Sequence, residues 1–151
     1  MPGAVGAPVA GKVVLFRVQK PVPKTLGSVT LTHGFRVSVS PRFMLEHSDH
    51  SESRFVFSYK IRIANQSAAK AKLIARRWVI VDGNDNKHTV EGEGVVGQQP
   101  ELGPGQVHEY SSFCPLPTPW GTMEGAYIMQ KPDGATFEIE IGRFYLIAPE
   151  E

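Results

Sequence analysis

A chain of 151 residues, 41% hydrophobic and 21% charged, can bury a core as one domain and is too ordinary in composition for a fibrous or disordered protein. No apolar run approaches the ~20 residues of a membrane-spanning helix, and the single cysteine, Cys114, excludes an internal disulfide and suits a reducing, intracellular compartment, cytoplasmic or mitochondrial. The net charge of +1 conceals an asymmetry: Met1 to Leu45 carries Lys12, Arg17, Lys20, Lys24, Arg36 and Arg42 without any acid, and acids outnumber bases from Glu46 onward.

Residues 1–27 read as a basic N-terminal extension. Lys12 to Val18 could form a short strand, but Pro21 and Pro23 isolate it from the rest of the chain. Together with Pro2 and Pro8 they also obstruct the amphipathic helix of a mitochondrial presequence. The extension is therefore expected to be an arm or a solvated tail. As an arm, Lys12, Arg17, Lys20 and Lys24 would contact an acidic protein or an RNA surface.

A folded body is expected over residues 28–151, and its period is two. Phe35, Val37 and Val39 alternate with Arg36, Ser38 and Ser40. Phe55, Phe57, Tyr59, Ile61 and Ile63 alternate with polar neighbours over a longer run. Leu73 to Val81 is apolar on both faces around Trp78, with Arg76-Arg77 interrupting the pattern. Asp82-Gly83-Asn84 reads as a hairpin turn, and Lys87 to Glu91 returns from it. Val107 to Phe113 and Met123 to Lys131 come next, and Pro132-Asp133-Gly134 turns into a last strand with Phe137, Ile139 and Ile141 inward. Beyond Gly142 the inward set becomes Phe144, Leu146 and Ala148, a phase slip that predicts a β-bulge. About seven strands without a convincing helix describe an all-β protein, an antiparallel sandwich of fibronectin type III or immunoglobulin type.

Glu91-Gly92-Glu93-Gly94-Val95-Val96-Gly97-Gln98-Gln99-Pro100 contains the spacing G-x-G-x-x-G. In a dinucleotide-binding unit such glycines leave a strand and open a helix. Pro100, Gly103, Pro104 and Gly105 come after them here instead and break any helix. Gly92, Gly94 and Gly97 could form a nest of N–H groups for phosphate, but Glu91 and Glu93 oppose an anion. The alternative reading is a loop that needs positive φ and close packing.

The body from Arg36 to Pro149 resembles the ApaG domain family. The resemblance rests on Arg76-Arg77-Trp78-Val79-Ile80, the 90–100 loop, Leu102-Gly103-Pro104-Gly105, Glu109-Tyr110-Ser111-Ser112, Gly121 to Tyr127, and Ile141-Gly142-Arg143-Phe144, in this order along the chain. It implies a fibronectin-III-like sandwich. Bacterial members stand alone and are linked genetically to a diadenosine tetraphosphatase and to cobalt and magnesium tolerance. Eukaryotic members attach the domain to F-box proteins and to a polymerase-delta-interacting protein, where it looks like a protein-binding module. The family supplies no catalytic residues.

The remaining candidates are few. Glu46, His47, Asp49, His50 and Glu52 crowd one loop; imidazole and carboxylate suit a transition metal. A solvated turn is the preferred reading of His47, Asp49 and His50, because dedicated sites orient their ligands, and no metal is assigned. Cys114 lacks an adjacent base, since His108 lies too far along an extended strand, and His33, His88 and His108 are scattered. Trp120, ending Pro115-Leu116-Pro117-Thr118-Pro119, is either a recognition tip or a ring folded back on the sandwich edge. There is no G-x-S-x-G and no H-E-x-x-H. The expectation is a non-enzymatic protein-binding module without a cofactor, a subunit or adaptor that presents the 92–105 loop (Gly92, Glu93, Gly94, Val95, Val96, Gly97, Gln98) and the 115–121 loop with Trp120. The alternative is a small-ligand protein for phosphorylated nucleotide or divalent metal.

Overall fold

The computed structural model describes residues 26–149. The arm residues Lys12, Arg17, Lys20 and Lys24, and the strand expected over Lys12 to Val18, lie outside them.

Alternation of apolar and polar residues builds the strands in chain order. They are β1 (Ser28–Thr32), β2 (Phe35–Phe43), β3 (Phe55–Asn65), β4 (Ala71–Asp82), β5 (Lys87–Glu93), β6 (Glu101–Leu102), β7 (Val107–Leu116), β8 (Trp120–Gln130) and β9 (Thr136–Ile147). Short 3-10 turns, Leu45–His47 and His50–Glu52, join β2 to β3. The strands absent from the sequence reading are β1 and the two-residue β6. One sheet runs β1-β2-β3-β7 and the other β5-β4-β8-β9, with β6 also on β4. All pairings are antiparallel. The molecule is the expected antiparallel β-sandwich.

The inward faces meet around Trp78, whose ring stands edge-on to Tyr59, Tyr127 and Phe144 at centroid distances of 5.4, 6.5 and 5.9 Å. Val37, Ile61, Ile63, Leu73, Met129 and Ile139 close the interior around it. Each fully buried aliphatic chain of this kind contributes ~1.5–3 kcal/mol.

Two bulges set the phase of the second sheet. Met123 pairs with Phe144 but Gly125 with Ile141, so Gly142-Arg143 is the expected bulge in β9, opposite Glu124. A second bulge lies in β4, where Leu73 pairs with Met129 and Ala75 with Ile128. Ile74 is the extra residue. It carries the inward phase from Ala71 and Leu73 to Arg76, Trp78 and Ile80, which accounts for the apparent interruption at Arg76-Arg77.

One side of the sandwich is closed and the other open. On the closed side β1 lies along β9: Ser28 Oγ donates to Gly142 O (2.8 Å), Thr30 Oγ1 to Glu140 O (2.6 Å), and Tyr145 N to Leu26 O (2.9 Å). On the open side β7 pairs with β3 alone and β5 with β4 alone among the described residues. No helix among these residues is long and apolar enough to cross a membrane.

Candidate functional site

The glycine-rich segment is built onto the β4 bulge. β5 ends at Glu93, and Gly94 N donates to Ile74 O (2.9 Å). Val95 and Gln98 then exchange both backbone hydrogen bonds, at 2.7 and 2.9 Å. Gln99 Nε2 also donates to Ile74 O (3.0 Å), Leu73 N donates to Pro100 O (2.9 Å), and β6 resumes pairing with β4. The loop is thus a two-residue hairpin around Val96-Gly97, with φ of 47° and 75°, the signs of a type I′ turn.

Each glycine has its own steric reason. A Cβ on Gly92 would lie 2.8 Å from Arg76 Nη2, and one on Gly94, at φ +60°, would lie 2.2 Å from Gln98 O. Gly97 has open space around it and needs only its φ of +75°. The N–H groups of Gly94, Val95 and Gln98 all bond to backbone carbonyls, so those donors are already satisfied within the loop. A hollow of about 380 Å³ beside Gly92 is lined by Arg76 and Arg77 and by Glu91 and Glu93, so two carboxylates offset the cations a phosphate would need. Val96 is β-branched, 63% exposed and held at positive φ, a conformation such residues rarely adopt. Replacing it with the Asn that type I′ turns favour should raise stability by ~1 kcal/mol. Urea denaturation checks this; a lower midpoint for Val96→Asn would contradict the turn geometry.

Arg76 links the loop to the interior. Its Nη1 donates to Glu93 O (2.9 Å) and Gly94 O (2.8 Å), and its charge reaches the hydroxyls of Tyr59, Tyr110 and Tyr127. The Tyr110 and Tyr127 hydroxyl oxygens stand 2.5 Å apart. Burial pushes all three phenols above their ordinary range, so they stay protonated. Sequence reasoning missed this cluster. Its signal was a charged residue in the inward phase, concealed by the bulge at Ile74.

From Arg76 a cleft of about 430 Å³ runs along the open side between β5 and β7. Tyr59 and Trp78 lie within it, Val90 stands on the β5 wall and Leu116 on the β7 wall. Cys114 also lines it, but burial pushes its thiol up to about 11, so no thiolate forms near neutrality.

Comparison with known proteins places this architecture. The family model described as the ApaG domain matches residues 45–131. Protein ApaG of Methylobacterium sp. (strain 4-46) is 50% identical over 118 residues, which is 78% of this chain and 91% of that one. The chain belongs to the ApaG domain family. Protein ApaG of Anaeromyxobacter dehalogenans (strain 2CP-C) is 47% identical over 122 residues, 81% of this chain and 96% of its own. A crystal structure of an ApaA protein from Bordetella pertussis superposes with a TM-score of 0.73 at 44% identity, covering 85% of this chain and 100% of that one.

Within this ApaG-domain sandwich the other candidates fall apart in space. Trp120 is 46% exposed, and a Cβ on Gly83 would lie 2.9 Å from its indole nitrogen. It therefore covers the β4–β5 turn while keeping half its surface in solvent. Thr118 Oγ1 ties the two together, accepting from Gly83 N and donating to Trp120 O, both at 2.8 Å. The glycine loop hangs on Ile74, at the other end of β4 from Asp82 and Gly83, ~26 Å away at the rise of an extended strand. The two loops do not form one surface.

His47 packs on Phe113 (centroids 6.3 Å) and His50 edge-on to Phe55 (4.8 Å). Asp49 Oδ1 accepts from Ser51 N (3.0 Å) and Ser51 Oγ (2.6 Å). Among the described residues no group of three or more His, Cys, Asp or Glu is placed to hold a metal. His47, Asp49 and His50 are all exposed, and the loop is pinned by Ser48, whose Oγ donates to Met44 O (2.8 Å) and accepts from Val56 N (2.9 Å). His33 sits at φ 52° in the β1–β2 turn against Phe137 (5.5 Å). His88 faces Asp82 at 3.9 Å. Half-buried His108 stacks near Tyr110 (6.1 Å), with its Nε2 unbonded.

Proposed function

We propose that the chain is a non-enzymatic binding module, a subunit or adaptor that takes an extended segment of a protein partner along the open side between β5 and β7. The observation that carries this reading is the pair of singly paired strand edges flanking a cleft in which Trp78, Ile80, Val90, Leu116 and Met123 stand beside Arg76, His88 and Ser112. Unpaired N–H and C=O groups along an edge recruit a further strand, and a cleft beside it gives alternate side chains their pockets. Val90, 41% exposed directly opposite Trp78 in the ladder, offers the anchor at the mouth.

The proposed surface thus lies on the strands between the glycine loop and Trp120, with these loops at its two ends. Lys12, Arg17, Lys20 and Lys24 would add an electrostatic contact to an acidic protein or RNA surface. The high thiol pKa of Cys114 supports a binding role, since the cleft lacks an ionised nucleophile there. A lone buried cysteine suits an intracellular setting.

Val90→Lys places on β5 the residue that natural edge strands use against pairing. Affinity purification from native extract should recover a stoichiometric partner with the parent chain and at least tenfold less with this variant, at an unchanged melting temperature. Full recovery with Val90→Lys and loss with Trp120→Ala would move the contact to the 115–121 loop and contradict the proposal.

A further inference from the structure

The outward side of the first sheet carries a charge pattern that meets the cleft only at Phe113. Facing away from the core are Arg36, Ser38, Ser40 and Arg42 on β2, Ser58, Lys60 and Arg62 on β3, and Glu109, Ser111 and Phe113 on β7. The register lays them out in rows across the strands. Arg36 stands opposite Ala64, Ser38 opposite Arg62 and Glu109, Ser40 opposite Lys60 and Ser111, and Arg42 opposite Ser58 and Phe113. Every row holds one cation. Alternate residues on a strand repeat every ~6.8 Å, so the cations form a track of ~20 Å along the two central strands.

Glu109 is the single carboxylate among the outward positions of β2, β3 and β7 in the described residues. It is shared between Lys60 Nζ (3.6 Å) and Arg62 Nε (3.5 Å). Phe113, 59% exposed, ends the track with the His47 ring beside it. The outward side of the second sheet has the opposite character. There Glu91, Glu93, Glu101, Glu124, Glu138 and Glu140 outnumber Lys72, Arg77, Lys87 and Arg143, and the two arginines are held by Glu138 (2.9 Å) and Glu124 (3.0 Å). Charge is sorted by face.

We propose that the outward face of β2, β3 and β7 binds single-stranded nucleic acid. Arg36, Arg62, Lys60 and Arg42 take successive phosphates, the row serines bond phosphate and sugar oxygens, and Phe113 stacks a base. A sheet face has no helix to enter a duplex groove, whereas splayed bases lie on such a surface and stack on an exposed ring. Regular cation spacing with an aromatic at its end matches a phosphodiester repeat better than an acidic peptide, whose carboxylates need no stacking partner.

The test uses the full 151-residue chain, so that the basic extension is the same in every variant. Fluorescence anisotropy with a labelled oligouridylate should show binding that weakens with salt, with a log–log slope of about −3 for four phosphates on a single strand. Arg36→Gln/Lys60→Gln should roughly halve that slope and weaken binding at least tenfold at low salt. Arg77→Gln/Arg143→Gln removes the same charge from the other face and should change affinity less than twofold. Phe113→Ala should weaken oligouridylate several-fold while leaving binding of polyglutamate unchanged. Equal losses for the two charge-matched pairs, or tighter binding of polyglutamate than of oligouridylate, would overturn the proposal.

Discussion

Gly94→Ala is expected to destabilise the fold by ~3 kcal/mol, the sum of a left-handed backbone penalty and an overpacking penalty. The added Cβ would meet Gln98 O at 2.2 Å, and that oxygen is fixed because it accepts from Val95 N at 2.7 Å. Moving Gly94 away instead breaks its own bond to Ile74 O. The clash is thus with backbone on one side and a bulge carbonyl on the other, and neither yields cheaply. Gly97→Ala meets nothing within 4 Å and should lose ~1 kcal/mol for its positive φ alone. Urea denaturation of the two variants separates close approach from conformational freedom. Equal losses would mean that close approach is not what fixes the motif's spacing.

Trp78→Ala should cost ~4 kcal/mol, as large-to-small changes of buried aromatics do. Trp78 is 3% exposed and touches rings from both sheets, Tyr59 from the first and Tyr127 and Phe144 from the second. Its removal leaves a void that the rigid ladders on either side cannot close. It also lies within the cleft, so the void would open toward solvent. Trp78→Phe keeps most of the ring contact and should lose about half as much. Thermal denaturation followed by near-ultraviolet circular dichroism checks both. An alanine variant as stable as the phenylalanine one would contradict the central packing role of Trp78.

Most of the fold was legible because period two survives wherever one face is buried. Phe55 to Ile63 is the clearest case: every odd residue is buried. The bulge at Gly142 could be read because the inward set changes parity, from Ile141 to Phe144. The bulge at Ile74 could not, since Leu73, Ile74 and Ala75 are all apolar and parity carries no signal there. β1 escaped because its apolar residues, Val29 and Leu31, face outward while Ser28 and Thr30 bond to β9. β6 is too short for any period to register.

The candidate site was less legible. The segment holding Gly92, Gly94 and Gly97 helped identify a family, but the reasons for its glycines appear only in the fold: Arg76 beside Gly92, the Gln98 carbonyl against Gly94 and a positive φ at Gly97. The glycine loop and the Trp120 loop were both expected to be presented to a partner, and β4 holds them at opposite ends. The sorting of charge between the two faces depends on register, which pairs residues such as Arg36 and Ala64. Sequence order alone showed only a basic beginning and an acidic remainder.

The central claim is that an extended partner segment adds along the open side of the sandwich. Amide hydrogen exchange of the full chain, free and saturated with a peptide selected against it by display, tests this most directly. Strand addition predicts at least tenfold slower exchange along Lys87–Glu93 or Val107–Leu116, with the 94–100 loop and Trp120 unchanged. Protection confined to that loop or to Trp120, with both edge strands exchanging as in the free protein, would contradict it.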